Sequence, residues 1–376
     1  MRTRNRRAEA RGGVLEGIIE RLHAVRFRRE GLLAASFGNR AALEPARGAK
    51  GPSGAGLAPG ASARARLRRL GRRVAKRGRA LGTRARRRLG GGEAGGVRAE
   101  NVVWIFGAAR TGSTWLAGMM GELKGQAVWR EPLVGALFGN LYYERAKHLV
   151  GRKGRHYILS DGYRESWLGS VRAFVLREAS GRFPEAAGAG RYLVVKEPNG
   201  SLGAPLLMEA LPESRMILLV RDPRDVVASS MDAKRSGGWQ YENRRKWKRE
   251  SPVDRDPDAF VRKRAESYLQ RVGFAKRAYD AHEGYKVLVR YEELRADTLG
   301  TMKRVYSALG IPVQEGELRR AVQKHSWENI PEEQKGEGKF YRKAAPGGWR
   351  EDLTPEQAEA VARITAPLLN ELYPAS

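Results

Sequence analysis

The 376-residue chain contains no cysteine. That excludes a disulfide scaffold, thiolate metal sites, iron–sulfur clusters and cysteine nucleophiles. No apolar run approaches the roughly 18 residues of a membrane-spanning helix. The start, MRTRNRRAEARGG, is basic but has no apolar stretch behind it, so it does not read as a signal peptide. Acidic residues are scarce beside basic ones: 42 Asp and Glu face 71 Lys and Arg, a formal charge of +29.

That excess is concentrated at one end. Residues 1–100 hold 26 Lys and Arg against 7 Asp and Glu, a net of +19, which leaves +10 for the other 276 residues. The same stretch is rich in Gly and Ala (GAKGPSGAGLAPGASARARLRRLGRR) and poor in aromatics. Such a segment buries too little surface to offset its ordering entropy. The expectation for residues 1–98 is therefore a disordered basic tail with one short helix over 14–27, able to meet anionic surfaces weakly. An alternative is that Arg, Ala and Gly simply reflect GC-rich codons and that the true start lies downstream. No motif that reads nucleic acid accompanies the basic run, so no specific nucleic-acid partner is expected. The folded domain is expected over residues 99–376.

Apolar runs and helical patterns alternate there. Residues 101–106 (NVVWIF), 191–196 (RYLVVK), 215–220 (RMILLV) and 286–290 (KVLVR) read as buried strands. Helical patterns cover 115–123, 202–210, 225–231, 260–281 and 297–309. Continuous apolar strands alternating with helices predict an α/β fold with a central parallel sheet covered on both faces. Residues 232–258, basic and Trp-bearing without a clean period, read as an insertion or lid above the sheet, or else as a solvated loop holding a few packed aromatics.

Between the first strand and helix lies GAARTGST, residues 107–114. Its frame is that of a phosphate-binding loop, G-x-x-x-x-G-K-[ST]. Backbone amides at a helix start point into one concavity, and the helix dipole adds positive potential. Ser113 replaces the lysine of nucleotide triphosphatases, and Arg110 supplies a cation three residues earlier. The loop thus suits one phosphate and a neighbouring anion better than a triphosphate. A plain strand-to-helix turn is the competing reading.

Arg110-Thr111-Gly112-Ser113-Thr114-Trp115 resembles the opening motif of the sulfotransferases that use 3′-phosphoadenosine 5′-phosphosulfate (PAPS). The resemblance implies a P-loop-like architecture in which Arg110 contacts the 5′-phosphosulfate. Thr111, Gly112, Ser113 and Thr114 would cradle the 5′-phosphate, and Trp115 would lie near the adenine. Residues 216–231, MILLVRDPRDVVASSM, resemble the family's second motif, which implies that Arg221 and Ser229 hold the 3′-phosphate. Residues 341–354, YRKAAPGGWREDLT, resemble its closing motif, with Arg342 and Lys343 reaching the same phosphate and Ala344 standing where glycine is usual. Tyr291, in VRYEEL, resembles an aromatic beside the adenine. Core packing is the plainer reading of Trp115 and Tyr291, and an ion pair of Arg221 with Asp222 or Asp225 that of the second motif. Asp225 is also placed to cap the helix that follows. The matches run from about Val102 to Leu353 in family order.

A base is needed for the acceptor, and cations for the leaving phosphate. The five histidines, His23, His148, His156, His282 and His325, fit none of the motifs. Two carboxylates are better placed by sequence: Glu131 in WREP, favoured because related carbohydrate and tyrosyl sulfotransferases carry a catalytic Glu in a similar stretch, and Glu197 in KEP at a strand's end. Lys196 would assist by charge. No metal-ligand cluster appears, and the chemistry requires none. The expected function is transfer of sulfuryl from PAPS to a hydroxyl or amine, with a carbohydrate acceptor as the finer expectation and a cytoplasmic protein of bacterial composition as the setting. The Arg- and Trp-rich stretch 234–249 suits a sugar or an acidic polymer by stacking and charge, and equally a lipid or a phenol. A P-loop kinase and a non-enzymatic binder of anionic polymers through the tail are the alternatives.

Overall fold

A computed structural model describes residues 95–145, 154–244 and 250–373. Residues 1–94 of the expected tail, the helix over 14–27 and residues 245–249 of the lid segment lie outside the described residues. Five strands form: β1 (Val102–Gly107), β2 (Gln126–Arg130), β3 (Tyr192–Lys196), β4 (Arg215–Val220) and β5 (Lys286–Arg290). They stand in the order β2-β3-β1-β4-β5, and every pair is parallel. Parallel neighbours cannot be joined by a tight hairpin, so each connection crosses a face of the sheet, and helices cover both faces.

The period-two alternation of the strands sorts the core. Trp104, Phe106, Leu193, Val195, Met216 and Leu218 face α2 (Arg164–Arg182), α3 (Ala204–Ala210), α5 (Pro257–Ala281) and α9 (Pro355–Leu372). Val103, Ile105, Val194, Ile217, Leu219 and Val289 face α1 (Ser113–Gly121), α6 (Tyr291–Ala296), α7 (Thr298–Ala308) and α8 (Glu315–Lys324). Because β1, β3 and β4 are buried on both sides, their sequences are apolar except for Arg215 at the start of β4 and Lys196 at the end of β3.

Prolines and short acids punctuate the helix starts. Asp222 caps α4 (Pro223–Lys234) by accepting the Arg224 N–H at 2.8 Å, Asp256 caps α5, and Thr354 with Gln357 forms a capping box on α9. The cap of α4 is Asp222 and not Asp225, which is fully buried and engaged elsewhere. The edge strand β2 and the helices α2, α8 and α9 have no counterpart in the sequence expectations. β2 has only a three-residue apolar run and stays half-exposed at the sheet edge. In α2 the buried residues are Trp167, Val171, Val175 and Ala179, a narrow stripe at every fourth position on an otherwise polar helix.

The chain passes from β1 outward to β2, and from β3 across to β4 on the other side. The order therefore reverses around β1, and a crevice opens there at the carboxyl ends of the strands. Gly107 ends β1 with φ +151°, and a Cβ on it would lie 2.1 Å from the Leu219 carbonyl oxygen. Among the described residues no helix is long and apolar enough to cross a membrane. Gly107→Ala must push β4 away from β1, so urea denaturation should show a loss of about 2–4 kcal/mol.

Candidate active site

The β1–α1 loop turns on unusual dihedrals. Arg110 takes φ +74° and Gly112, the N-cap of α1, φ +90°. A Cβ on Gly112 would lie 2.7 Å from the Tyr291 ring, so glycine is required by the packed tyrosine as well as by the turn. The Gly107 N–H donates to Ser201 Oγ at 2.9 Å, and the buried Thr111 hydroxyl donates to the Ala108 carbonyl at 2.8 Å. Thr111 thus spends its side chain on the loop itself. Gly112, Ser113, Thr114 and Trp115 bring the first turn of α1 to the wall of a cleft of about 240 Å³. That is room for an organic ligand, beyond a single ion.

Arginines converge on the same cleft. Arg110 donates from Nε to Ser229 Oγ at 3.0 Å and from Nη2 to the Phe340 carbonyl at 3.0 Å, with its guanidinium over the Trp239 and Phe340 rings. Arg221, at the end of β4, lies over the Tyr291 ring at 4.3 Å. Its polar contacts are long: 3.4 Å to the Arg110 and Ala345 carbonyls and 3.5 Å to Asp225. Among the described residues its Nε is buried without a hydrogen-bond partner. Arg342 also lines the cleft and pairs with Asp352 at 2.5 Å. Burial, reinforced by the nearby charge of Arg221 and only partly countered by Asp232, pushes Arg110 down to about 10. Clustered cations with an orphaned donor suit an anion, which would supply the missing acceptor and relieve the repulsion.

The closing segment lies against α4. Buried Asp225 accepts the N–H groups of Gly347 at 2.8 Å and Trp349 at 3.0 Å. Lys343 pairs with Glu351 at 2.6 Å, which holds its ammonium above the usual lysine range. Ala344 adopts φ +49°, the left-handed region a glycine would occupy without strain, and its carbonyl accepts from Arg295 Nε at 3.0 Å. The 232–258 segment meets it here too: the Trp239 backbone N–H donates to the Gly338 carbonyl at 2.9 Å. Trp115 donates its indole N–H to the His325 carbonyl at 2.8 Å and meets the Tyr291 ring edge-on.

The two candidate carboxylates separate. Glu131 lines the cleft, with Lys196 Nζ at 2.5 Å and Asn199 Nδ2 at 2.6 Å on its two oxygens. Lys196 Nζ also donates to Thr114 Oγ1 at 3.2 Å, joining this group to the phosphate loop. Glu197 is fully buried and does not line the cleft. Trp239, from the Arg- and Trp-rich stretch 234–249, stands in the wall. Sequence reading missed Asn199, two residues beyond Glu197, and the wall residues His325, Trp327 and Phe340, which no spacing tied to the loop.

Burial pushes the Glu197 carboxyl up to about 7, against the lowering effect of two backbone hydrogen bonds. The folded chain then holds this proton to a higher pH than the unfolded chain, whose carboxyl releases it near the ordinary value of about 4.3. This group's contribution to stability is complete below that value and is lost as pH rises through about 7. Glu197→Gln should flatten that part of the stability profile, read by denaturant titration of both proteins between about pH 5 and pH 8.

The sequence matches the sulfotransferase domain family over residues 100–372. A search of curated proteins gave no match. Similar solved structures include a mouse sulfotransferase complexed with PAP (14% identity, 74% of this chain and 86% of that one, TM-score 0.45). Others are a sulfotransferase from Mycobacterium avium (14%, 73% and 77%, TM-score 0.46) and one from Alicyclobacillus acidocaldarius (15%, 72% and 93%, TM-score 0.39). With the family match spanning β1 to α9 and every motif of the cleft within it, the chain belongs to the sulfotransferase domain family, enzymes that transfer sulfuryl groups.

Proposed function

We propose that the cleft binds PAPS and that the domain passes its sulfuryl group to a hydroxyl or amine of a carbohydrate acceptor, with Glu131 as the base. The observation that carries this reading is the convergence of Arg110, Arg221 and Arg342 on one cavity, with the Arg221 Nε left unpartnered. PAPS supplies a sulfuryl group on a phosphate leaving group. Arg221, Ser229, Arg342 and Lys343 are assigned to its 3′-phosphate, and the amides of Gly112, Ser113 and Thr114 to its 5′ side. Trp115 and Tyr291 form the aromatic wall for the base.

Arg110 stands between the two ends, bonded to Ser229 yet belonging to the phosphate loop. It is assigned to the charge that builds on the leaving oxygen. Glu131 takes the acceptor's proton through lone pairs that Lys196 and Asn199 leave open. Lys196, in reach of both Glu131 and Thr114, stabilises charge on the group in transfer. The rings of Trp239, Phe340 and Tyr341 at the wall, beside Arg110 and Gln240, support a sugar acceptor through stacking and polar contacts.

Calorimetric titration with 3′-phosphoadenosine 5′-phosphate (PAP), beside ATP and AMP, tests the donor. PAP should bind tightest. Arg221→Ala should weaken it by about 10- to 100-fold, the effect of losing a charged hydrogen-bond donor. Preference for magnesium-ATP would refute the reading and favour kinase chemistry.

A further inference from the structure

Glu197 follows the last residue of β3, at the start of the Pro198–Gly203 turn. Its two oxygens meet backbone amides of the segment after β2. Oε2 accepts the Leu133 N–H at 3.0 Å and Oε1 the Gly135 N–H at 3.3 Å. Between β2 and these amides the backbone is held in left-handed conformations at Glu131 (φ +50°) and Leu133 (φ +62°). Non-glycine residues keep such dihedrals only where their surroundings enforce them.

The surroundings are unusually close. A Cβ on Gly135 would lie 2.1 Å from the Gly200 carbonyl oxygen, and one on Gly203 2.2 Å from that of Gly135. The short helix Val134–Gly139 therefore rests backbone to backbone on the Pro198–Gly203 turn. A Cβ on Gly200 would lie 1.8 Å from Glu197 Oε1, so the turn leaves just enough room for this carboxylate. Glu131 itself is tied to the sheet by its N–H to the Lys196 carbonyl at 2.8 Å.

We propose that Glu197 is a positioning residue for sulfuryl transfer: it clamps the 131–135 segment by two backbone amides and so sets the Glu131 carboxylate against Lys196 and Asn199. The inference rests on the reading of Glu131 as the base. It also assigns a buried carboxylate that touches neither the cleft nor the reacting groups. The charged groups facing Glu197 are Glu131 and Lys196; Arg271, from α5, is bonded to the Asn199 carbonyl at 2.6 Å. Burial brings Glu197 to about 7.

The test uses the full chain and two readouts. Backbone hydrogen exchange reports the Leu133 and Gly135 amides directly. Release of PAP from PAPS, with water as the acceptor, reports chemistry: the water oxygen bonds to sulfur, the bond from sulfur to the phosphate oxygen breaks, sulfate and PAP result, and the two protons of the water pass to the freed 5′-phosphate and to solvent. Glu197→Gln should bind PAP within about two-fold of wild type, lose protection at both amides, and release PAP about ten-fold more slowly. Combined with Glu131→Gln it should slow the reaction no further than Glu131→Gln alone.

Unchanged exchange at the two amides would overturn the proposal, as would a double variant slower than Glu131→Gln by the full single-variant factor. Failure of the Glu131 reading shows separately, as a wild-type rate in Glu131→Gln. Should Glu197→Gln fail to fold, wild-type protein decides. The Leu133 and Gly135 amides should exchange far more slowly than their intrinsic rate, and unprotected exchange at both would overturn the clamp.

Discussion

Arginines crowd one small volume at the carboxyl ends of the strands, and much of the surrounding structure manages their repulsion. Arg110, Arg221 and Arg342 reach it from a loop after β1, from the end of β4 and from the closing segment. Aromatic faces and backbone carbonyls provide many of their contacts: Tyr291 for Arg221, Trp239 and Phe340 for Arg110. The nearby acids are positioned sparingly. Asp225 stands 3.5 Å from Arg221, a loose contact, and gives its closer bonds to backbone amides. A site that neutralised each arginine fully would have little free energy left to gain from an anion.

This arrangement binds distant stretches of sequence to each other. Asp225 on α4 holds the backbone at Gly347 and Trp349, while Arg221 and Arg295 reach the carbonyls of Ala345 and Ala344. Arg224 stacks 4.1 Å over the Trp349 ring. The helix assigned to the 3′-phosphate and the segment that closes over it are therefore one mechanical unit. Lys196 does the same on the other side of the cleft, where its ammonium spans Glu131 and Thr114.

The central sheet was legible because β1, β3 and β4 are buried on both faces and have no polar alternation to confuse with helix. β5 was legible from its β-branched run, although its burial alternates. β2 was not, since an edge strand needs few apolar residues and its identity comes from pairing with β3. The loop and the Arg-Asp-Pro turn carried local signals, because glycine, proline and capping acids act within a few residues. Asp225 was misread for a related reason. Its spacing from the turn resembles a cap, and only the tertiary fold brings residues 347–349 to its oxygens. Ala344 shows that a backbone path can outlast the residue that suits it: the segment keeps the positive φ that glycine would favour. The separation of Glu131 from Glu197 was invisible in sequence, since both follow strands and precede proline.

The order of the sheet also bears on how the chain acquires it during synthesis. β1 emerges first among the strands yet takes the central place, flanked by β3 and β4. Its closing amide, that of Gly107, waits for Ser201, 94 residues further along. Until then the apolar stretch VVWIF has no sheet neighbour on either edge and must be sheltered by its own helix α1 or by a chaperone. Of the five strands, β1 therefore waits through the longest stretch of chain before it finds a neighbour.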